Sequence, residues 1–232
     1  MRDYKRRRYL FAFIISASIF ALGFFFGFLM DLQRIDYFTS LNEIQKINLR
    51  SIQLQYELLQ NIDTGNQCKA FRFVFDSAIQ ELEKNRERLE SYERQSTVRK
   101  EDFNMLKREY TLSQINFWQI SKNFKKTCPD DSDFVTVLYF FSDTKNCPDC
   151  EKQAAVLNYY KDKLNENLLI FAIDETFEDK ESLIKLLKQA YEINSYPSII
   201  IGEKKYGLLT SQDMREILCN IYSDESTKSK VC

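Results

Sequence analysis

The sequence predicts an α/β domain at the C-terminal end of a chain that begins with a membrane-spanning helix and continues through an α-helical hairpin or bundle. Three observations predict this. An uncharged apolar run, Leu10 to Met30, follows a cluster of basic residues. From Asp31 to Lys126 the chain has one Gly (Gly65) and no Pro, and its apolar residues recur three and four apart. Beyond residue 131, short runs rich in β-branched and aromatic residues alternate with helix-periodic segments. The expected parts are a basic segment over 1–9, an anchor over 10–30, a helical segment over 31–130, the α/β domain over 131–222 and a polar tail over 223–232.

The N-terminal part is read from its charges. Arg2, Lys5, Arg6, Arg7 and Arg8 precede the apolar run. A helix as long as that run would span about 30 Å, the thickness of a bilayer's hydrocarbon. Gly27-Phe28-Leu29-Met30 offers no small-x-small cleavage site, so an uncleaved single-pass anchor is expected rather than a signal peptide. The basic cluster places the N-terminus in the cytoplasm, and residues 31–232 in the periplasm or an equivalent external space.

The middle part reads as three amphipathic helices, about 31–61, 67–95 and 98–126. Asp63 to Asn66 makes the first turn, and Gln95-Ser96-Thr97 makes the break between the second and third. Ile35, Phe38, Leu41 and Ile44, and later Phe71, Phe75, Ala78 and Leu82, mark the apolar stripes. No heptad is sustained cleanly, so a bundle or spacer is favoured over a long coiled coil. A partner-binding or dimerising role for these helices stays open beside the spacer reading.

In the α/β part, Phe134 to Phe141 reads as a buried strand, and Ser142 to Asn146 as a polar loop. Pro148 suits the first turn of a helix that runs on to Leu164. Leu168 to Ile173 is a second strand. Lys180 to Tyr191 is a helix with Leu183, Leu186, Leu187 and Ala190 on one face. Pro197 to Ile201 is a third strand, Gly202-Glu203 turns into a short edge strand ending near Gly207, and Thr210 with Asp213 resembles a capping box opening a last helix to about Ile221. The expected order is β-α-β-α-β-β-α.

Cys147-Pro148-Asp149-Cys150 carries the chemistry. A Cys at or just before a helix N-terminus meets free N–H groups and the positive end of the helix dipole, which favour its thiolate. Cys150, three residues on, can close onto it. Cys147 is therefore the candidate that attacks a substrate disulfide, and Cys150 the one that resolves the mixed disulfide. Asp149 is a negative charge beside Cys147 and opposes thiolate formation, so a less oxidising couple is expected than with a basic residue there.

This pattern resembles the thioredoxin superfamily over roughly residues 132–222, through Cys147, Cys150, Pro197, Gly202 and Gly207. The resemblance implies a nucleophilic Cys147, a resolving Cys150, and a cis Pro197 lying against the disulfide and presenting substrate backbone. One departure stands out. The buried carboxylate that thioredoxins carry on the strand before the motif has Tyr139-Phe140-Phe141 in the corresponding stretch, which puts efficient deprotonation of Cys150 in doubt.

The remaining cysteines read as structural. In an antiparallel helical hairpin, Cys68 and Cys128 reach the same open end, and a disulfide between them would close a long loop and stabilise by about 4 kcal/mol in the entropy model. By elimination Cys219 pairs with Cys232 and ties the tail to the last helix. The alternative keeps Cys219 as a core residue and leaves Cys232 loose.

The 33 basic and 34 acidic residues leave a net charge of −1, so no overall field favours nucleic acid. The chain has no His, which excludes triads and His-ligated metals, and five glycines leave little room for a phosphate loop. No cofactor is expected. The expected function is a membrane-anchored extracytoplasmic thiol–disulfide oxidoreductase, with protein thiols or disulfides as substrates and a redox protein as partner. A non-catalytic interaction module of a membrane complex and a copper(I) or thiol-metal carrier are the alternatives, and the direction of exchange stays open.

Overall fold

A computed structural model describes residues 13–29, 47, 50–51, 54–55, 57–59, 67–94 and 99–232. These fall in two compact units, divided between Arg50 and Ser51. In the first unit, helix α1 is described over 13–29, and its large apolar side chains, Phe20 and Phe24 among them, are exposed. Among the described residues no helix is long and apolar enough to cross a membrane. The anchor expected over 10–30 is corrected on this finding. The single-pass topology, the cytoplasmic N-terminus, the extracytoplasmic placement of residues 31–232 and the membrane as a partner rested on that anchor and are withdrawn with it. The basic cluster at Arg2 to Arg8, the stripe from Ile35 to Ile44, the turn at Asp63 to Asn66 and the break at Gln95 to Thr97 lie outside the described residues.

The second unit contains a helical hairpin and a small sheet. Helix α2 spans Gln67–Glu93 and α3 spans Lys100–Thr127. Helix α2 buries Phe71, Val74 and Ala78 at spacings of three and four, the stripe that makes one face apolar in an otherwise charged sequence. Helix α3 carries Glu101 and Asp102 in its first turn and Lys125 and Lys126 in its last, each complementing the helix dipole. The helices run antiparallel. Tyr92 near the end of α2 donates from its hydroxyl to Asp102 (2.9 Å) and accepts from the Arg99 N–H (3.1 Å), while Cys68 and Cys128 are bonded at the other end, with Cα atoms 5.6 Å apart. Pro129, just past α3, has no N–H with which to continue it.

Four strands follow, β1 (Val135–Phe141), β2 (Leu168–Asp174), β3 (Ser198–Ile201) and β4 (Lys204–Tyr206), in sheet order β2-β1-β3-β4. Strands β1 and β2 are parallel, pairing Val135 with Leu168 through Phe141 with Asp174. Strand β3 runs antiparallel to β1, pairing Phe140 with Ser198 and Val137 with Ile201, and β4 runs antiparallel to β3. Gly202 takes the positive φ (62°) that the β3–β4 turn requires. The helices α4 (Cys150–Leu164), α5 (Ser182–Ala190), α6 (Ser211–Ile221) and α7 (Glu225–Val231) complete the unit. Thr210 and Asp213 form the capping box of α6.

Strand β1 is apolar at every position but Thr136 because both of its faces are covered. Leu138 and Phe140, with Phe171 and Ile173 of β2, pack into one cluster with Phe71, Val74, Phe117 and Phe124 of the hairpin and Ile184 and Leu187 of α5. Val137 and Tyr139 pack into a second with Leu157 and Leu164 of α4, Met214 and Leu218 of α6 and Val231 of α7.

The expected fold class, a thioredoxin-like domain preceded by a transmembrane helix and a separate helical segment, is corrected accordingly. The chain is predominantly helical with a small four-stranded sheet. The hairpin does not stand beside the α/β part; it supplies a covering layer of the sheet, with the Phe117 and Phe171 rings 5.5 Å apart at the junction. The polar tail expected over 223–232 contains helix α7, capped by Asp224, whose side chain accepts from the Thr227 N–H, and anchored by the buried Val231. A single apolar residue in a polar run gave too little periodicity to show this helix.

Candidate redox site

The site forms where β1 ends. Ser142 follows the strand, and the next residues turn tightly on Asp143. Its carbonyl accepts from the Cys147 N–H (2.8 Å) and the Asn146 N–H (3.1 Å), and its carboxylate accepts from the Asn146 N–H as well (2.8 Å). This short-range hydrogen bonding is what Asp supplies in turns. Cys147, Pro148 and Asp149 lie ahead of α4, and Cys150 is the first helical residue. Pro148 is thus in the turn before the helix and not inside its first turn. The Cys150 N–H reaches the Cys147 carbonyl at 3.3 Å, and the two cysteines are bonded with Cα atoms 5.4 Å apart.

Asp149 is the N-cap of α4, yet its side chain makes no capping bond. Its carboxylate instead accepts from Lys152 Nζ at 2.7 Å, an exposed pair whose hydrogen bond and charge raise the lysine's pKa. Two consequences follow for Cys147. The first N–H groups of α4 are left without a side-chain acceptor, and the negative charge of Asp149 is offset by a cation one turn on. The opposition of Asp149 to a Cys147 thiolate is correspondingly weakened.

Beneath the motif, the Tyr139 hydroxyl donates to the Cys150 carbonyl at 2.8 Å. Burial pushes this phenol up to about 12, so it remains a donor at neutral pH and supplies no base. Gln153, fully buried one turn after Cys150, accepts from the Leu209 N–H (2.7 Å) and ties α4 to the loop before α6. Its Nε2 has no hydrogen-bond partner.

Pro197 is buried, and the Tyr196–Pro197 peptide bond is cis. Because Ser198 pairs with Phe140, the sheet brings Pro197 to the same end as the loop leading to Cys147. Sequence reasoning missed a polar cluster at this end. Glu175, just after β2, accepts from Ser142 Oγ (2.7 Å), Lys188 Nζ (3.1 Å) and the Tyr196 hydroxyl (3.0 Å). Burial alone would raise its carboxyl, but these hydrogen bonds and the Lys188 charge outweigh burial and hold it below its ordinary value. Lys188 also donates to Glu178 at 2.7 Å. Its pKa is depressed by burial and raised by more through its partners Glu178, Tyr196 and Glu175. These residues lie far apart in the chain, so no local spacing announced them.

The other cysteines lie away from this turn. Cys68 and Cys128 close the hairpin, and Cys219 of α6 is bonded to Cys232 with Cα atoms 5.5 Å apart. Among the described residues no group of three or more His, Cys, Asp or Glu side chains converges to hold a metal. Cys147 and Cys150 would offer a thiophilic ion two sulfurs once reduced.

No family model and no curated protein matches the chain. A solved structure described as that of a malarial protein is similar to it at 22% identity, over 39% of this chain and 99% of that one, with a TM-score of 0.31.

Proposed function

We propose that the chain carries out thiol–disulfide exchange with protein substrates through Cys147 and Cys150. In the reducing direction, the Cys147 thiolate attacks one sulfur of a substrate disulfide. The substrate disulfide breaks, one substrate thiolate leaves, and a mixed disulfide forms. The Cys150 thiolate then attacks Cys147, closes the Cys147–Cys150 bond and releases the second substrate thiolate, so that two electrons pass to the substrate. Oxidation is the reverse sequence. A redox protein resets the pair, and its potential relative to the couple sets the direction.

The observation that carries this reading is a disulfide of sequence separation 3 at the mouth of α4. So short a loop gains little from cross-linking in the entropy model, about 2 kcal/mol against about 4 for a loop of some 60 residues. A bridge at this spacing has more to offer as reactive chemistry than as a staple. The uncapped N–H groups of α4 and the Tyr196–Pro197 segment at the same end of the sheet support the same assignment.

One observation favours a second reading. Cys147 is only 1% exposed and Cys150 6%. A pair that stays buried and closed would belong to a non-catalytic interaction module. Equilibrating the full chain in graded thiol/disulfide buffers and following alkylation of Cys147 by peptide mass separates the two. Exchange predicts a two-electron transition between about −120 and −270 mV, with Cys147 alkylating ahead of Cys150. A pair still oxidised below about −300 mV, or a Cys147 that never alkylates, establishes the interaction module instead.

A further inference from the structure

The Glu175 cluster is not used by the exchange chemistry, and its placement is specific. Glu175 is the first residue after β2, Ser142 is the first after β1, and Tyr196 immediately precedes Pro197. One carboxylate therefore joins three segments: the loop that leads into Cys147, the connection leaving β2, and the segment that enters β3. Lys188 of α5 contributes the cation, with its Nζ 5.5 Å from the centre of the Tyr196 ring. The segment that holds Glu175 is itself fixed to the hairpin. Lys107 of α3 pairs with Asp174, and Arg108 pairs with the buried Glu181 at 2.9 Å. Asp174 in turn accepts from the Thr176 N–H (3.0 Å) and hydroxyl (2.7 Å).

We infer that Glu175 is a positioning residue for exchange at Cys147–Cys150, holding the Tyr196–Pro197 segment in register with the loop after β1 so that an extended peptide can be presented to the disulfide. This deepens the exchange reading and rests on it. Glu175 touches neither sulfur in this role. It acts through Tyr196 and Ser142. The chemistry requires a carboxylate there. Three donors converge on two oxygens, which an ionised carboxylate accepts together. Lys188 and Tyr196 both donate to Oε2 and Ser142 donates to Oε1. A Gln that keeps its oxygen on Lys188 and Tyr196 turns its NH2 toward Ser142 Oγ and offers the two donors a neutral oxygen, which removes the charge assistance from both links. The consequence falls on binding of a peptide disulfide. A small disulfide, which needs no backbone alignment, is unaffected.

The test uses the full chain, reduced with dithiothreitol and freed of it, in single-turnover reactions. One substrate is a disulfide-closed peptide and the other a small aromatic disulfide. Glu175→Gln is expected to raise the half-saturation concentration for the peptide about five-fold, the equivalent of one net hydrogen bond, with the limiting rate unchanged. The rate with the small disulfide stays at the wild-type value. Tyr196→Phe, which removes a single hydroxyl, is expected to give the same peptide effect and to add nothing to Glu175→Gln in the double variant. It also carries the test if Glu175→Gln does not fold. Peptide half-saturation at the wild-type value in the variants overturns the role of Glu175 alone, and so does a parallel loss with the small disulfide. A wild-type chain that reduces neither substrate overturns the exchange reading and this role together.

Discussion

The Glu109 carboxyl on α3 is buried, and its Oε1 has no hydrogen-bond partner. Burial is the main reason its pKa is raised to about 7. Arg88 opposes the shift and the negative charge of Glu81 adds to it. The folded chain therefore holds this proton more tightly than the unfolded chain, where the carboxyl titrates at 4.5. The stability linked to the proton is fully present below pH 4.5 and is lost as the pH rises through about 7. By pH 8 the folded state carries an ionised, poorly solvated carboxylate at a cost on the order of 3 kcal/mol. Glu109→Gln should leave the urea midpoint nearly unchanged at pH 5 and raise it at pH 8. The same midpoint shift at both pH values would show that Glu109 does not titrate on folding. The Glu175 carboxyl, not far off in sequence type, lies on the opposite side of its ordinary value because hydrogen-bond donors surround it. For both residues the environment sets the shift, and no sequence pattern around either one reveals it.

At the scale of elements, the two bridges with the most unequal loops give the sharpest contrast. Cys68–Cys128 has a sequence separation of 60 and Cys147–Cys150 one of 3. Replacing Cys68 and Cys128 with Ser should lower unfolding stability by about 4 kcal/mol, and replacing Cys147 and Cys150 by about 2, as read from urea midpoints under oxidising conditions. An equal loss from both would remove the argument that the short bridge is kept for its chemistry. The elements themselves differed in how plainly they could be read. The run from Val135 to Phe141 is legible because a strand covered on both faces is apolar at nearly every position, here at all but Thr136. The capping box at Thr210 and Asp213 is legible because it is local chemistry, complete within four residues. Helix α7 is not, since it depends on Thr227 donating to Asp133 (2.7 Å), a residue far away in the chain, and on Val231 finding the sheet's second core. The apolar run at 10–30 was legible as a run, but among the described residues no helix is long and apolar enough to cross a membrane.

Across the second unit as a whole, periodicity showed that α2 and α3 each bury a face, but it carries no information about what lies against that face. The answer is the sheet. Phe75 meets Phe134 at 5.5 Å between ring centres, and Phe117 meets Phe171 at the same separation, so the hairpin and the strands share one core. The ion pairs Lys107–Asp174 and Arg108–Glu181 sit at the rim of this contact. A shared core couples the stabilities of the parts that build it, because neither can leave without exposing the other's apolar surface. Phe117→Ala opens a cavity at the junction and should cost about 3–5 kcal/mol. Its diagnostic effect is on hydrogen exchange. Amides of α2 and of β2 should lose protection by the same factor, and unfolding in urea should remain a single transition with an unchanged slope. Protection lost from α2 alone, with β2 amides exchanging as in the wild type, would mean that the hairpin unfolds independently and only rests against the sheet. The Glu175 cluster would then have no rigid backing from Lys107 and Arg108, and its hold on the Tyr196–Pro197 segment would have to come from α5 alone.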